Sequence, residues 1–218
     1  MIIFDIETLP CDDPVIINDL AKEISPPGNI KKQESIDKWM RENADAELDR
    51  LVSKTSFSGI YGRVACISAC QDNGGIVSGT VCYDERDTIS GFYDWVDYAD
   101  DRTGVFCGHN IHGFDLPFLK HRSIILGIKP PKSLLKAMNS RPWDGCIADT
   151  MLMWSQDKDK RISLDKLCRL LGIKSVEGMD GSKVAETWLA DPQKVIDYCE
   201  DDVYITREVY KRLTFSEG

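Results

Sequence analysis

The sequence predicts an α/β fold in which a mixed five-stranded sheet is flanked by helices, with a helical insertion after the first strand. An apolar strand opens the chain of 218 residues, and strands over residues 63–70 and 75–83 then form a hairpin around the turn-rich segment 72–74. After the hairpin, short strands alternate with helices, which is the order of an α/β protein. A length of 218 residues suits one domain, over residues 1–218.

The first strand covers residues 1–8, and its apolar start predicts a buried, central position in the sheet. Two prolines and a glycine at positions 26–28 break the chain before a polar helix over residues 33–51. We interpret residues 12–58 as a helical insertion that packs on the domain or covers its cleft.

Proline and glycine positions bound the later helices. Pro117 and Pro192 fall in first turns, where proline is tolerated, whereas Gly127 and Gly172 follow last turns, where glycine adopts the left-handed conformation. The segment 129–144 is predicted to be a loop. In chain order, the later elements are a helix near 88–98, a strand at 104–107, a helix at 116–127, a strand at 146–151, a helix at 163–171, a short helix from 182 and a last helix from 192 toward 213.

Composition excludes several classes of protein. Hydrophobic residues make up 42% and charged residues 29% of the chain, as is typical of a globular protein. No run approaches the ~20 apolar residues of a membrane-spanning helix, and the first residues lack the pattern of a signal peptide. The eight cysteines lie mostly inside apolar stretches without a CxxC pair or zinc-ligand spacing, so we expect free thiols in a reduced, cytoplasmic protein.

The net charge of −9 does not favour a nucleic-acid partner, but the charges are distributed unevenly, which weakens this objection. Between Leu116 and Trp143 there is no acidic residue, and a local basic face of this kind can bind phosphates. A solvated loop explains the same pattern equally well. The basic residues of this segment are Lys120, Arg122, Lys129, Lys132, Lys136 and Arg141.

The first of three acidic segments is Asp5-Ile6-Glu7. Residues two apart in a strand point to the same face, so both carboxylates project together. Two acids side by side in a buried strand repel each other unless a cation neutralises them, and Mg²⁺ and Mn²⁺ prefer carboxylate oxygens. The alternative is a strand end that has reached solvent.

The second segment, HNIHGFD over residues 109–115, places Asp115 at the start of a helix. Its alternative role is an N-cap, because aspartate is a favoured cap residue. His109 and His112 could ligate zinc, but no third soft ligand has suitable spacing, so we do not expect a zinc site.

The third segment, YCEDD over residues 198–202, lies in the last helix. Tyr198 and Asp202 are four apart on one helical face, and Asp202 falls on the apolar stripe of that helix. Asp201 instead aligns with a mostly polar stripe, so Asp202 is the predicted functional acid. A buried ion pair with an arginine or lysine is the alternative, whereas a metal explains the other acids as well.

Together and in this order, the three segments resemble the motifs of the DEDD superfamily of RNase H-like 3′→5′ exonucleases, in the tyrosine (DEDDy) variant. Asp5 and Glu7 match the first motif, Asn110 and Asp115 the second, and Tyr198 with Asp202 the third. The likeness is strongest to stand-alone nucleases similar to the exonuclease domain of family B DNA polymerases, often found in phage and prophage. It covers nearly the whole chain, with residues 12–58 least securely matched.

The resemblance implies an RNase H-like fold and phosphodiester hydrolysis by two divalent cations, Mg²⁺ or Mn²⁺. Asp5 would bridge both ions, Glu7 and Asp202 would complete one site, and Asp115 would hold the other. Tyr198 would orient the attacking water or the scissile phosphate. The implied substrate is the 3′ end of single-stranded DNA, from which nucleoside 5′-monophosphates are released.

The resemblance also implies contacts with the substrate. Thr8 and Leu9 would grip the 3′ end, although a strand end and a core leucine explain them nearly as well. Asn110 would orient Asp115 or contact the substrate, and Asp149 would support the site. The predicted substrate-binding residues are Thr8, Leu9, Asn110, Phe114, Lys132, Lys136 and Arg141.

Because these motifs take up nearly the whole chain, we expect a free-standing nuclease rather than an attached proofreader. Replication or recombination proteins are possible partners, and a phage-encoded chain would act in the host cytoplasm. Two alternatives remain open. One is an exoribonuclease of the same superfamily, since sugar choice depends on contacts with the 2′ position. The other is a nucleic-acid-binding module without catalysis, which the intact set of acids disfavours.

Overall fold

The computed structural model describes residues 1–72, 74–79, 84–99, 103–155, 161–174, 179 and 181–216. The sheet has the strand order β3-β2-β1-β4-β5, and the predicted mixed five-stranded sheet is therefore confirmed. β1, β2 and β3 are antiparallel neighbours, whereas β4 and β5 run parallel to β1. The strands are β1 Ile2–Leu9, β2 Arg63–Gln71, β3 Val77–Gly79, β4 Phe106–Gly108 and β5 Ile147–Asp149. Residues 73 and 80–83 of the predicted hairpin lie outside the described ranges.

β1 is the central strand and is covered on both faces. Its residues are buried except Asp5, which is half-buried. On one face, Phe4 contacts the ring of Phe92 with ring centroids 5.1 Å apart. On the other face, Ile3 packs with Val203 of the last helix. A strand covered on both sides explains the nearly continuous apolar run from which the sequence predicted its position.

Helices account for most of the remaining described residues and flank the sheet as predicted. They are α1 Pro14–Glu23, α2 Gln33–Lys54, α3 Glu85–Ala99, α4 Asp115–Leu126, α5 Lys132–Met138, α6 Thr150–Ser155, α7 Leu164–Leu171, α8 Val184–Ala190 and α9 Pro192–Leu213. Gly127 and Gly172 follow α4 and α7 in the left-handed conformation, with φ of 65° and 69°, as predicted. No described helix is both long and apolar enough to span a lipid bilayer.

The segment 129–144, predicted to be a loop, contains the helix α5. Leu134, Ala137 and Met138 are buried against the main core, so a short apolar stripe stabilises this helix. Tertiary packing therefore overrides a local sequence dominated by lysine and proline.

The segment 12–58 is helical as predicted, but its helices bury no residue completely. α1 and α2 pack on each other, and a short 3₁₀ helix, Thr55–Phe57, returns the chain to the sheet. Two hydrogen bonds link this 3₁₀ helix to the end of β1. The Thr8 hydroxyl donates to the Ser56 carbonyl at 2.7 Å, and the Cys11 N–H donates to the Thr55 hydroxyl at 2.7 Å.

α9 lies across β1 and β2 and carries the third acidic segment. The stripe of α9 predicted to be mostly polar is partly apolar, because Ile205 is buried against Leu167 and Cys168 of α7. α9 is thus packed on two sides, one facing the sheet and one facing α7. Free thiols were also predicted, and among the described residues seven cysteines are free and buried.

Candidate active site

Three carboxylates converge where β1 meets α9. One ligand oxygen from each of Asp5, Glu7 and Asp202 lies within 4.8 Å of the other two. Asp5 and Glu7 are two apart on β1 and share the face toward α9, as the strand period requires. α9 brings Asp202 to them from the far end of the chain.

Asp115 reaches the same region from another direction. It is the first residue of α4, after Phe114 at the N-cap position, and is 2% exposed. Its carboxylate accepts a hydrogen bond from the backbone N–H of Ile6, which lies between Asp5 and Glu7. Its Oδ1 atom is buried without a hydrogen-bond partner among the described residues. Asp115 is therefore held beside β1 with one oxygen unsatisfied.

Burial and mutual repulsion raise the pKa of all four carboxyl groups. Burial is the largest cause in each case, and it raises the pKa of Asp115 and of Asp202 to about 7. The pKa values of Asp5 and Glu7 are raised well above their usual range by burial and then by neighbouring groups that include Asp115 and Asp202. Ionising all four groups therefore requires positive charge that the described side chains around them do not provide.

The surroundings of the acids bear on two alternative roles, a buried ion pair and a strand end in solvent. No salt bridge joins Asp5, Glu7, Asp115 or Asp202 to a lysine, arginine or histidine within the described part of the chain. β1 also does not end in solvent at the acids, since Glu7 is 9% exposed and Asp5 is half-buried. The contacts therefore favour neither the buried ion pair nor the solvated strand end.

Tyr198 stands one helical turn before Asp202, as predicted. Its hydroxyl hydrogen bonds to the Asp202 carboxylate, and this bond lowers the pKa of Asp202 against the larger effect of burial. Burial, followed by the charges of Asp202, Glu7 and Asp5, raises the pKa of Tyr198 itself. The phenol therefore keeps its proton at neutral pH and acts as a hydrogen-bond donor.

Asp149 supports the loop that leads to Asp115. Its carboxylate accepts four backbone N–H bonds at 3.0–3.2 Å, from Asn110, His112, Met151 and Leu152. The first two donors belong to the loop before α4, and the last two belong to the first turn of α6. The supporting role predicted for Asp149 is consistent with these contacts.

Asn110 shapes the same loop through its backbone. It has a positive φ of 65°, and its carbonyl accepts hydrogen bonds from the N–H groups of Gly113 and Phe114 at 2.9 Å each. A Cβ atom on Gly113 would lie 2.5 Å from Oδ1 of Asn110, so a larger residue there would displace the Asn110 side chain. These contacts favour the orienting role for Asn110, and contact with substrate stays a prediction.

His109 is structural. Its Nε2 lies 2.9 Å from the carbonyl oxygen of Ile162 and must donate to it, while Nδ1 lies 2.9 Å from the Thr150 hydroxyl. Burial lowers the pKa of His109, so the ring is neutral at pH 7. Both ring nitrogens of His109 are therefore engaged in hydrogen bonds within the protein.

Cys199 is a site residue that sequence reasoning missed. Its thiol lies 3.4 Å from the backbone oxygen of Asp5 and 3.6 Å from Oδ2 of Asp5. Its position between Tyr198 and Asp202 on the buried stripe of α9 was the available signal. From the sequence, this residue is predicted only to be a free buried thiol.

The predicted substrate-binding residues are distributed unevenly. Leu9 is buried against Val184 and Val195, so the structure favours the core alternative for its side chain. The Thr8 hydroxyl is hydrogen bonded to the Ser56 carbonyl, and the partly buried Phe114 side chain packs against the main core. The structure does not bring these three side chains into the carboxylate cluster, and their contacts with substrate stay predictions.

The basic segment needs one correction. Arg122 is buried, because its guanidinium forms two hydrogen bonds to Glu85 at 2.7 and 2.8 Å, and it cannot belong to an exposed basic face. Arg141 is exposed but pairs with Asp144 and lies over the ring of Trp143. The remaining exposed cations are Lys129, and Lys132 and Lys136 on α5.

Comparisons with known proteins agree with this arrangement. A family model described as "Predicted 3'-5' exonuclease related to the exonuclease domain of PolB" matches residues 59–218. The match includes Asp115, Tyr198 and Asp202 but begins after β1, on which Asp5 and Glu7 lie. No curated protein matches the sequence.

A solved structure shows the same fold. The family B DNA polymerase from the hyperthermophilic archaeon Pyrobaculum calidifontis superposes with a TM-score of 0.61 at 19% sequence identity. The superposition covers 98% of this chain and 24% of the polymerase, so the chain spans about a quarter of the polymerase's length. The predicted RNase H-like fold is confirmed, and the aligned part extends over nearly all of this chain.

Proposed function

The chain belongs to the predicted 3′-5′ exonucleases related to the exonuclease domain of PolB, and on this basis we propose that it removes nucleoside 5′-monophosphates from the 3′ end of single-stranded DNA with two divalent cations. The observation that carries the proposal is the convergence of four buried or half-buried carboxylates that form no salt bridge with a lysine, arginine or histidine among the described residues. A module that only binds nucleic acid would gain nothing from four acids that repel phosphate.

The carboxylates suit hard divalent cations. All four candidate ligands are oxygen donors, which Mg²⁺ and Mn²⁺ prefer, and Oδ1 of Asp115 is buried without another partner. Asp5, Glu7 and Asp202 would hold one ion, and Asp5 with Asp115 would hold the other. When bound, the ions supply the charge that activates water and stabilises the leaving oxygen.

The residues of the chain hold the reacting groups in place. The water oxygen bonds to phosphorus while the bond from phosphorus to the preceding 3′ oxygen breaks, and that oxygen takes up a proton. The products are a nucleoside 5′-monophosphate and a strand that is one residue shorter with a free 3′ hydroxyl. Tyr198 keeps its proton, so it can orient the water or the phosphate by donating a hydrogen bond, but it cannot act as a base.

Labelled strands test the proposal. Single-stranded DNA and RNA labelled at either end are incubated with EDTA, Mg²⁺, Mn²⁺ or Ca²⁺. We expect early mononucleotide release from the 3′ label with Mg²⁺ or Mn²⁺, none with EDTA, and little turnover with Ca²⁺, whose longer coordination misplaces the water. Release from the 5′ label first would overturn the direction, and preferential cleavage of RNA would establish the exoribonuclease alternative.

A matched pair of variants assigns the activity to the cluster. Asp202→Ala should reduce kcat by about a thousandfold or more, because one ion loses a ligand, whereas the adjacent Asp201→Ala should retain it within about threefold. Circular dichroism would confirm that both variants are folded. Loss of activity in Asp201→Ala with retention in Asp202→Ala would show that the helix register has been assigned wrongly.

A further inference from the structure

The turn over residues 55–62 joins the insertion to β2 and contacts the end of β1. The Thr8 hydroxyl donates to the Ser56 carbonyl at 2.7 Å, and Thr8 directly follows Glu7. At its other end, a Cβ atom on Gly62 would lie only 3.0 Å from the carbonyl oxygen of Leu9. The 55–62 turn therefore packs against the end of β1, the strand that carries Asp5 and Glu7.

The same turn also contacts α4, the helix that begins at Asp115. A Cβ atom on Gly59 would lie 2.6 Å from the carbonyl oxygen of Phe118, so the backbones approach as closely as glycine allows. The Gly59 carbonyl also faces the buried guanidinium of Arg122, with Nη1 at 3.5 Å. The 55–62 turn thus bridges the two elements that position Glu7 and Asp115.

Internal hydrogen bonds hold the 55–62 turn in one shape. The N–H of Ser58 donates to Thr55 at 2.9 Å, and the N–H groups of Tyr61 and Gly62 donate to Ser58 at 3.1 and 2.8 Å. The side chains on this turn are therefore presented from a fixed backbone.

Three large apolar side chains of the turn are exposed. Phe57 is 70% exposed, Ile60 is 52% exposed and Tyr61 is 43% exposed. Several large apolar side chains exposed on one short, hydrogen-bonded turn are typical of a binding surface. Two of the three side chains are aromatic, and aromatic rings stack on nucleic-acid bases without regard to sequence.

We propose that Phe57, Ile60 and Tyr61 form a platform on which the bases of a single strand stack as its 3′ end enters the carboxylate cluster. The proposal rests on the proposed function and names the surface that receives its substrate. A strand whose terminal phosphate lies at β1 must run over a neighbouring surface, and the 55–62 turn lies at the end of β1. The platform takes up bases, whereas phosphates remain with the cations and the basic side chains.

The first test is kinetic and uses Phe57→Ala/Tyr61→Ala. Both side chains are exposed, so we expect the variant to fold. Stacking supports binding rather than chemistry, so KM for single-stranded DNA should rise about tenfold with kcat nearly unchanged. A strand with abasic sites next to its 3′ terminal nucleotide should raise KM of the wild type similarly and leave KM of the variant unaffected.

Tyr98→Ala is the matched control. Tyr98 is 87% exposed and lies near the opposite end of β1 from the 55–62 turn. Its neighbour Ala99 accepts a hydrogen bond from Gln71, which pairs with Ile2 at the start of β1. This control should leave KM unchanged, and the conservative pair Phe57→Trp/Tyr61→Phe should retain wild-type KM. An unchanged KM in Phe57→Ala/Tyr61→Ala would overturn the platform while leaving the nuclease intact.

The second test does not depend on hydrolysis. In an Asp202→Asn background with Ca²⁺, a strand carrying 2-aminopurine next to its 3′ terminus reports stacking by loss of fluorescence. We expect quenching that disappears when Phe57 and Tyr61 are replaced by alanine. Equal quenching in both proteins would overturn the platform. If the wild type cleaves no nucleic acid but the quenching depends on these rings, the stacking surface stands and the proposed function fails.

Discussion

At the scale of single residues, Asp149 shows how the site is held without touching substrate. Both of its oxygens accept backbone N–H groups, with Oδ2 bound to His112 and Oδ1 shared by the other three donors. A carboxylate can satisfy donors on both oxygens, whereas an amide offers only one acceptor atom. The loop before Asp115 therefore depends on a charged acceptor.

Replacing Asp149 with asparagine tests this dependence. The amide nitrogen must face one of the N–H donors, so we expect a loss of about 1–3 kcal/mol in the free energy of unfolding. Displacement of the loop should also weaken the site around Asp115, so more Mg²⁺ should be needed for half-maximal activity. Denaturant unfolding and a Mg²⁺ titration measure the two effects. A stable variant with unchanged Mg²⁺ dependence would contradict the positioning role.

The spacing of Asp5, Glu7 and Tyr198 with Asp202 could be predicted because strand and helix periods determine which side chains share a face. The role of Cys199 could not, since a buried thiol on an apolar stripe is ordinary in a core. The burial of Arg122 was also hidden, because its partner Glu85 is distant in sequence. Contacts between distant segments leave no local pattern in one sequence.

At the scale of elements, α5 carries exposed lysines on a helix whose other side is buried. The buried side holds Lys132 and Lys136 on one helix, although a loop was predicted for residues 129–144. The Asp-Pro pair that correctly marked the start of α9 also occurs at Asp13 and Pro14, where it begins α1. The insertion was predicted to be helical, but the only helix predicted within it was the one over residues 33–51, so α1 is additional.

Neutralising Lys132 and Lys136 together tests whether α5 contacts the incoming strand. Each phosphate contact with a single strand contributes ~0.7 to the slope of log affinity against log salt, so Lys132→Gln/Lys136→Gln should flatten the slope by ~1.4. KM should rise with kcat nearly unchanged. Lys22→Gln/Lys38→Gln removes the same charge from α1 and α2 and should change neither value. An unchanged slope in the α5 variant would mean that these lysines are solvated and do not contact the substrate.

At the scale of the whole molecule, the carboxylate cluster reduces stability when no cation is present. Acids whose pKa is raised on folding contribute stability below their unfolded pKa, and this contribution is lost as pH rises through the folded pKa. For Asp115 and Asp202 that window runs from about 4 to about 7. Without metal, folding therefore becomes less favourable across this range.

Thermal unfolding in EDTA at pH 5 and pH 8 measures this effect. Asp202→Asn should melt at a higher temperature than the wild type at pH 8, and the difference should shrink at pH 5, because the acid is then largely protonated. Each 1 kcal/mol corresponds to ~2–4 °C in a domain of this size. Added Mg²⁺ should raise the melting temperature of the wild type more than that of the variant. If Asp202→Asn melted at a lower temperature than the wild type at both pH values, the carboxylate cluster would not destabilise the metal-free protein.

The contact between Cys199 and Asp5 joins residues that are 194 positions apart in the sequence. During synthesis at ~5–20 residues per second, β1 exists for roughly 10–40 s before α9 has been made. During that interval the chain holds Asp5 and Glu7, and later Asp115, but it lacks Tyr198 and Asp202 of α9. Under the proposed function, hydrolysis therefore cannot begin on the nascent chain until α9 has packed against the sheet.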